Sequence, residues 1–201
     1  MKLYYAPGAC SLADHIALAE AGLPYDLVKV DLRAKTTEDE QDFSAINPKG
    51  YVPALTLDNG ETLTENIAVL SYIGTQGGGT QGGALLRKDG LQHFRVLETT
   101  SFVSTELHKN FKPFFNPASS EAEKDEARKM LGTRFGQVAE LLDGRDYIVG
   151  DVLSVADCYL FVMLMWADKN EVDVPEALTA YAGRLISRPA FTRALREEGL
   201  A

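Results

Sequence analysis

Lys2-Leu3-Tyr4-Tyr5-Ala6-Pro7-Gly8-Ala9-Cys10-Ser11 is the stretch that decides how the rest of the chain is read. Leu3, Tyr4 and Tyr5 form an apolar and aromatic run that predicts a buried strand. Pro7-Gly8 breaks it. A thiol follows, and after it Leu12, Ala13, Ile16, Ala17, Ala19 and Ala21 recur at helical density. Cys10 is therefore expected where a strand-to-loop turn enters a helix. A helix N-terminus offers unpaired N–H groups and a positive dipole end, which favour a thiolate over a thiol. The plain alternative is a packed core thiol, since free cysteines are among the most buried residues. The turn-to-helix position favours the reactive one. Cys10-Ser11-Leu12-Ala13 has no second cysteine to resolve a mixed disulfide, so a monothiol site working with an external thiol fits better than a dithiol oxidoreductase.

Outward from that stretch, the helix Ser11–Ala21 is closed by Gly22 and Pro24. Tyr25–Val30 returns to strand character, which gives a right-handed βαβ unit with parallel strands. Thr37-Glu38-Asp39-Glu40 fits a capping box and predicts a short helix running through Phe43. Asn47-Pro48-Lys49-Gly50 is a turn. Tyr51–Leu57 is a strand with Pro53 near its beginning, and Asp58-Asn59-Gly60 turns it into the short return strand Glu61–Leu63. A helix marked by Ile67, Val69, Leu70, Tyr72 and Ile73 starts near Glu65. The order is that of an α/β thioredoxin-like domain over residues 1–76. Five glycines among the seven residues from Gly77 to Gly83 cannot support an element, so 77–86 is expected to be a Gly-rich linker.

Residues 87–201 are expected to form an all-α domain. Leu91, Phe94, Leu97, Phe102 and Leu107 predict a long helix from about Lys88 to Lys109, ended by Pro113 and Pro117. A second helix spans about Ser120 to Leu142 and closes at Gly144. Ser154-Val155-Ala156-Asp157 is a capping box that starts a helix apolar nearly all round through Trp166, the mark of a central buried helix. Two more helices are expected at about Pro175–Ile186 and Pro189–Glu197.

The totals narrow the function. The 201 residues carry 29 acidic and 20 basic side chains, a formal net charge of −9 without a basic block. That argues against nucleic acid or an anionic membrane as partner. Two cysteines, Cys10 and Cys158, make no disulfide framework and point to a reducing compartment. Met1-Lys2 leads straight into a strand with no apolar leader segment. The longest uncharged apolar run, Cys158 to Ala167, is shorter than the ~18–20 residues a bilayer span needs. The expected location is the cytoplasm.

Further candidates lie along the chain. Pro53 suits an edge strand. In a thioredoxin-like domain a Val-Pro pair here typically has a cis peptide opposite the active-site loop, with the Val52 backbone free to pair with an extended peptide. Glu65-Asn66 opens a helix whose free N–H groups suit a carboxylate, with Glu65 beside it for an ammonium. A ligand with an α-amino acid head group would fit both. Lys35, taken alone, reads as a solvated lysine. His108, in Thr105-Glu106-Leu107-His108-Lys109, reads as a helix-end residue suited to the C-terminal dipole. His15 and His93 carry no chemistry in this reading. Three scattered histidines without ligand spacing predict no metal site.

Five motifs stand in order with matched spacing: Tyr5-x-Pro7-Gly8-Ala9-Cys10-Ser11, Asn47-Pro48-x-Gly50-x-Val52-Pro53, Leu63-Thr64-Glu65, Glu106-Leu107-His108-Lys109 and Ser154-x-Ala156-Asp157. Together they resemble a bacterial beta-class glutathione S-transferase over essentially the whole chain. The resemblance implies a glutathione-binding thioredoxin-like domain, an all-helical domain lining the electrophile pocket, and a homodimer. It implies that Cys10 contacts the glutathione sulfur and can bond to it, that His108 lies near the same sulfur, and that Tyr5 belongs to the catalytic motif while the cysteine displaces the usual tyrosine role. Lys35, Val52, Pro53, Glu65, Asn66, Thr105 and Lys109 match glutathione contacts. Asn66 stands where relatives carry a small residue. Ser101, or a residue near it, stands where they carry an asparagine that reaches across the dimer.

The expected activity is transfer of the glutathione thiolate to small hydrophobic electrophiles, with glutathione as cosubstrate and no metal. The helix-one N-terminus promotes ionisation of the bound thiol, Lys35 and Lys109 offset the ligand's charge, and Phe111–Phe115 contribute to an apolar pocket. Two rivals remain: thiol–disulfide exchange or reductive dehalogenation through a Cys10–glutathione disulfide, and a non-catalytic binding protein of the same fold.

Overall fold

A computed structural model describes residues 1–77 and 84–201. Residues 78–83, the centre of the expected linker, lie outside the described residues. The chain divides into two compact units, Met1–Lys88 together with Arg188–Ala201, and Asp89–Ser187.

The first unit is built on β1 (Lys2–Tyr5), α1 (Ser11–Ala21), β2 (Asp26–Asp31), β3 (Thr36–Thr37), α2 (Phe43–Ile46), β4 (Ala54–Thr56), β5 (Thr62–Thr64) and α3 (Asn66–Gln76). The sheet order is β3-β2-β1-β4-β5. β1 runs parallel to β2, with Leu3 opposite Leu27, and antiparallel to β4, with Leu3 opposite Leu55. Leu3 and Leu55 are fully buried, so the first strand of the chain sits in the middle of the sheet. Tyr4, Val30, Phe43, Val52 and Ala54 form a core on one face of that sheet.

α1 is buried along almost its whole length and ends at Gly22, whose φ of 67° is the left-handed cap that favours glycine. Gly77 lies so close to that end that a Cβ there would stand 2.4 Å from the Ala21 carbonyl oxygen. Its lack of a side chain is a packing requirement at the end of α3.

Two local expectations are corrected. Thr37-Glu38-Asp39-Glu40 does not open a helix. Thr36 and Thr37 pair antiparallel with Asp31 and Val30. The Thr37 hydroxyl donates to Asp39, and Glu40 N–H to the Thr37 carbonyl, which closes a turn. The helix begins six residues later, at Phe43, capped by the Asp42 carboxylate on Ser44 N–H.

The second unit holds α4 (Gly90–Phe102), α5 (Lys112–Phe115), α6 (Glu121–Leu142), α7 (Val155–Lys169) and α8 (Glu176–Ile186). The expected single helix from Lys88 to Lys109 is the other correction. α-Helical winding stops at Phe102, loosens into a π turn over Val103–Leu107, and tightens into a 3-10 turn over His108–Phe111. Pro113 does not end the helix; it sits in the first turn of α5, where a missing N–H costs nothing. Both expected capping boxes of this unit form, at Ser120/Glu123 and at Ser154/Asp157. α7 is buried nearly all round, as its composition predicts.

α9 (Pro189–Glu197), placed by the sequence with the helical domain, packs on α1 in the first unit. Arg188 holds it there through a two-pronged ion pair with the buried Glu20, at 2.6 and 2.9 Å. No helix among the described residues is long and apolar enough to cross a membrane.

Candidate active site

Cys10 caps α1, accepting the first helical N–H from Ala13 on its carbonyl. The Val52–Pro53 peptide is cis. The Cys10 thiol donates to the Val52 carbonyl oxygen at 3.4 Å. From the first position of α3, the Asn66 side-chain amide donates to the Cys10 carbonyl at 3.0 Å. Three segments far apart in sequence therefore meet around one half-buried sulfur: the β1–α1 turn, the approach to β4, and the start of α3.

The expected thiolate is not what this setting favours. The Asn66 amide and the N–H groups of Cys10 and Ser11 stabilise the anion, but burial and the nearby Asp14 carboxyl outweigh them. The thiol is pushed up to about 12. A helix N-terminus lowers a thiol's pKa only where its surroundings leave the anion solvated or paired. Cys10 is a thiol at neutral pH, and its S–H is a donor.

Around this sulfur stand the groups expected to take a polar ligand. Glu65 holds a φ of 72°, a left-handed conformation rare for a side-chain-bearing residue. That twist places it as the cap of α3, ahead of the free N–H groups of the first turn. The Lys49 ammonium donates to Glu65 at 2.7 Å and to the Thr64 hydroxyl at 3.1 Å. Glu65 is thus already disposed to hold an ammonium, and Lys49 supplies one that the sequence did not reveal. Lys35 is not a freely solvated lysine. It too has positive φ, donates to the Gly50 carbonyl at 2.7 Å, and lies 5.7 Å from the Tyr51 ring centroid. Tyr51 is 70% exposed beside buried Val52 and Pro53.

Tyr5 is buried at the end of β1, with its ring centroid 6.3 Å from that of His15. Burial and the negative charges of Glu198, Glu38 and Glu197 raise its pKa, so the phenol keeps its proton. His15 is part of a network that sequence reasoning missed. Its two ring nitrogens face Glu198 at 3.0 Å and Glu197 at 2.8 Å. Glu198 also accepts from Gly8 N–H at 2.9 Å, and Tyr25 donates to Glu197. The end of the chain is thereby tied to the turn that carries Cys10. Partners more than 180 residues apart leave no local signal.

In the helical unit, His108 sits where the π turn gives way to the 3-10 turn, a kind of irregularity found often at functional positions. One ring nitrogen shares a hydrogen bond with the Tyr159 hydroxyl, and the ring meets Trp166 edge-on at 5.0 Å. Burial and neighbouring Lys109 push its pKa down to about 4, so His108 is neutral, not the dipole-stabilised cation its helix-end position suggested. Phe111 and Phe115 pack on the same tryptophan at 5.5 and 4.6 Å. Phe115 is half exposed, so this aromatic cluster has an open side. Ser101, Thr105 and Lys109 are exposed, and the Thr105 hydroxyl donates to the Ser101 carbonyl. Thr105 lines an open depression of about 700 Å³ with Phe102, Glu106, Arg134 and Leu141.

A thiol set against the residue before a cis-proline, with a helix N-terminus beside it, defines a thiol-handling domain of the thioredoxin-like class, here followed by a helical unit. Residues 9–76 match the family model of the glutathione S-transferase N-terminal domain, and residues 102–189 match that of the C-terminal domain. The chain belongs to the glutathione S-transferase family. It is 40% identical to glutathione S-transferase GstA of Escherichia coli O157:H7, over the whole of both chains. It is 30% identical to maleylacetoacetate isomerase of Pseudomonas aeruginosa, over 96% of this chain and 95% of that one. Among solved structures, the bacterial transferase BphK in a ternary complex is 49% identical, and a sphingomonad glutathione S-transferase complexed with glutathione is 46% identical. Each matches with a TM-score of 0.93 over the full length of both chains. A beta-class enzyme from Sphingomonas chungbukensis matches at 45% identity and a TM-score of 0.91, over the full length of both.

Proposed function

We propose that this glutathione transferase binds glutathione on its thioredoxin-like unit and transfers the glutathione thiolate to small hydrophobic electrophiles. The observation that carries this reading is the Cys10 thiol donating to Val52 beside the cis-proline, with Asn66 on its carbonyl. The Val52 backbone meets an extended peptide as an added strand, its carbonyl having a second lone pair left to accept with. The peptide's carboxylate goes to the α3 N-terminus, and its ammonium to Glu65. Lys35 offsets the ligand's charge.

Cys10 stays protonated, so the attacking sulfur is the ligand's, and the Cys10 S–H turns from the Val52 carbonyl to donate to it as it ionises. Tyr5 is a protonated phenol against the His15 ring, and its place in the catalytic motif rests on the family resemblance. The roles of Ser101, Thr105, His108 and Lys109 rest on the family resemblance, and neutral His108 enters as an uncharged hydrogen-bonding group. The aromatic cluster of Phe111, Phe115 and Trp166 supports an apolar electrophile. The homodimer follows from the resemblance, and the cytoplasm from the two free cysteines.

The test is Cys10→Ala, assayed with glutathione and chloronitrobenzene and by mass spectrometry for glutathionylated protein. Conjugation is expected to slow and the adduct to vanish. Unchanged conjugation with unchanged adduct overturns the assignment. Hydroxyethyl disulfide, a chlorinated aromatic acid and a cis-enedione acid, assayed alongside, separate exchange, dehalogenation and isomerisation from conjugation.

A further inference from the structure

Asp14 has no counterpart in the site as drawn above. It lies on α1 four residues after Cys10, the spacing that puts two side chains on one helix face. It is fully buried, and neither carboxyl oxygen has a hydrogen-bond partner. Buried carboxyl groups are normally satisfied, and an orphan of this kind calls for an explanation.

The elements packed on α1 are β1, α3 and α9. α9 and its cap bring Glu198, whose charge repels it. β1 brings Tyr5, which is turned to His15 and the same glutamate. α3 brings the uncharged amide of Asn66. On α1 itself, His15 is taken up by Glu197 and Glu198, Glu20 by Arg188, and Cys10 remains. Arg193 on α9 is taken up by Glu197, and Glu198 is the one charged side chain among the causes that shift Asp14.

We propose that Asp14 acts with burial to hold Cys10 as a thiol, which favours attack by the bound ligand's sulfur over exchange through the protein's own. Asp14 is a positioning residue, since it acts through Cys10. The consequence for the reaction rests on the reading of Cys10 as the residue that meets the glutathione sulfur. Burial and Glu198 keep the carboxyl protonated well above the usual carboxylate range. Once Asp14 has lost its proton, the thiol must ionise against an anion one helical turn away. With that anion absent, more of Cys10 is thiolate, and its attack on glutathione disulfide is faster. The disulfide S–S bond breaks, a protein–glutathione S–S bond forms, and one glutathione leaves as its thiolate. The disulfide is the oxidant, and Cys10 is oxidised.

The experiment is alkylation of Cys10 by iodoacetamide across neutral to alkaline pH, read by peptide mass spectrometry, with buried Cys158 as the internal reference. It uses the full chain as wild type, Asp14→Asn and Asp14→Ser. No glutathione is present, so its outcome is independent of the proposed function. In both variants the alkylation profile is expected to move at least one pH unit lower, an about tenfold faster reaction near pH 9. Formation of the Cys10–glutathione disulfide from glutathione disulfide is expected to rise in parallel. A profile that stays in place or moves higher in a folded variant overturns the proposal. A wild-type chain that shows the expected profiles but is not retained on immobilised glutathione instead overturns the functional reading.

Discussion

α1 and α7 are the most deeply buried helices of their units, and each carries an aspartate near its N-terminus that is wholly buried. Asp157 on α7 is fully occupied. It accepts from Ile148 N–H, Ser154 N–H, the Ser154 hydroxyl and the Tyr181 hydroxyl, at 2.7–2.8 Å. Asp14 on α1 accepts from no other residue. The same side chain, equally shielded from water, is a structural clasp in one helix and an unsatisfied group in the other. Burial alone does not say what a carboxylate does; the donors around it do. Asp157 ties a loop, a helix start and α8 together. Asp14 contributes nothing of that kind, and it stands beside the one thiol that the β1–α1 turn presents.

That contrast breaks first under substitution. Asp157→Ala leaves four donors buried without their acceptor. It is expected to lower the stability of the helical unit by more than about 3 kcal/mol, read as an earlier midpoint in urea unfolding. Asp14→Asn removes an unpartnered carboxyl and is expected to move the midpoint the other way. Two losses of similar size would erase the distinction between the helices.

The two aspartates also mark how far the sequence could be read. Asp157 was legible because its main partner is local: Ser154-Val155-Ala156-Asp157 closes its capping box within one turn. The βαβ start, the hairpin at Asn59-Gly60 and the setting of Cys10 are local in the same sense. Asp14 was not legible, because its isolation depends on what α9 and α3 fail to offer it. His15 was passed over for the related reason that its partners are Glu197 and Glu198. Thr37 misled because the pattern that caps a helix also closes a turn, and pairing with β2 decided between them. The break in the long helix did leave a trace. Phe102 and Leu107 are five residues apart, one more than an α-helical face allows and the spacing of a π turn.

His108, in the helical unit, has the Tyr159 hydroxyl and Trp166 around its ring. Its folded pKa, about 4, is depressed below the unfolded value. Between about pH 6.5 and 4 the unfolded chain therefore binds more protons than the folded one. Stability is full above that window and falls as pH drops through it, by at most about 3 kcal/mol. His108→Gln is expected to flatten this acid limb in urea titrations at stepped pH. An unchanged slope would mean that the histidine is as well solvated folded as unfolded.

For Asp14 the sign is opposite. Its folded pKa is raised, so above about pH 4 the folded chain holds a proton that the unfolded chain has released. Stability falls as pH rises through that window. The advantage of Asp14→Asn, about 1–3 kcal/mol at neutral pH, should shrink toward zero below it. An advantage equal at pH 3 and pH 7 would trace the effect to packing rather than to charge, and would leave the two aspartates differing only in their contacts.

The smallest effect is expected where charge is exposed. Lys49 and Glu65 form an ion pair with side chains 52% and 69% exposed. Pairs of this kind contribute little to folding. Lys49→Ala should leave the unfolding midpoint within about 0.5 kcal/mol of wild type. Its consequence falls on the ligand. With Lys49 gone, the Glu65 carboxylate has no resident ammonium and is open to the one a glutamyl head group carries. Glutathione binding by calorimetry is then expected to tighten roughly two- to fivefold, the order of a single exposed ion pair. Weaker binding would mean that Lys49 meets the ligand's carboxylate instead, and that Glu65 orients the lysine rather than the ligand.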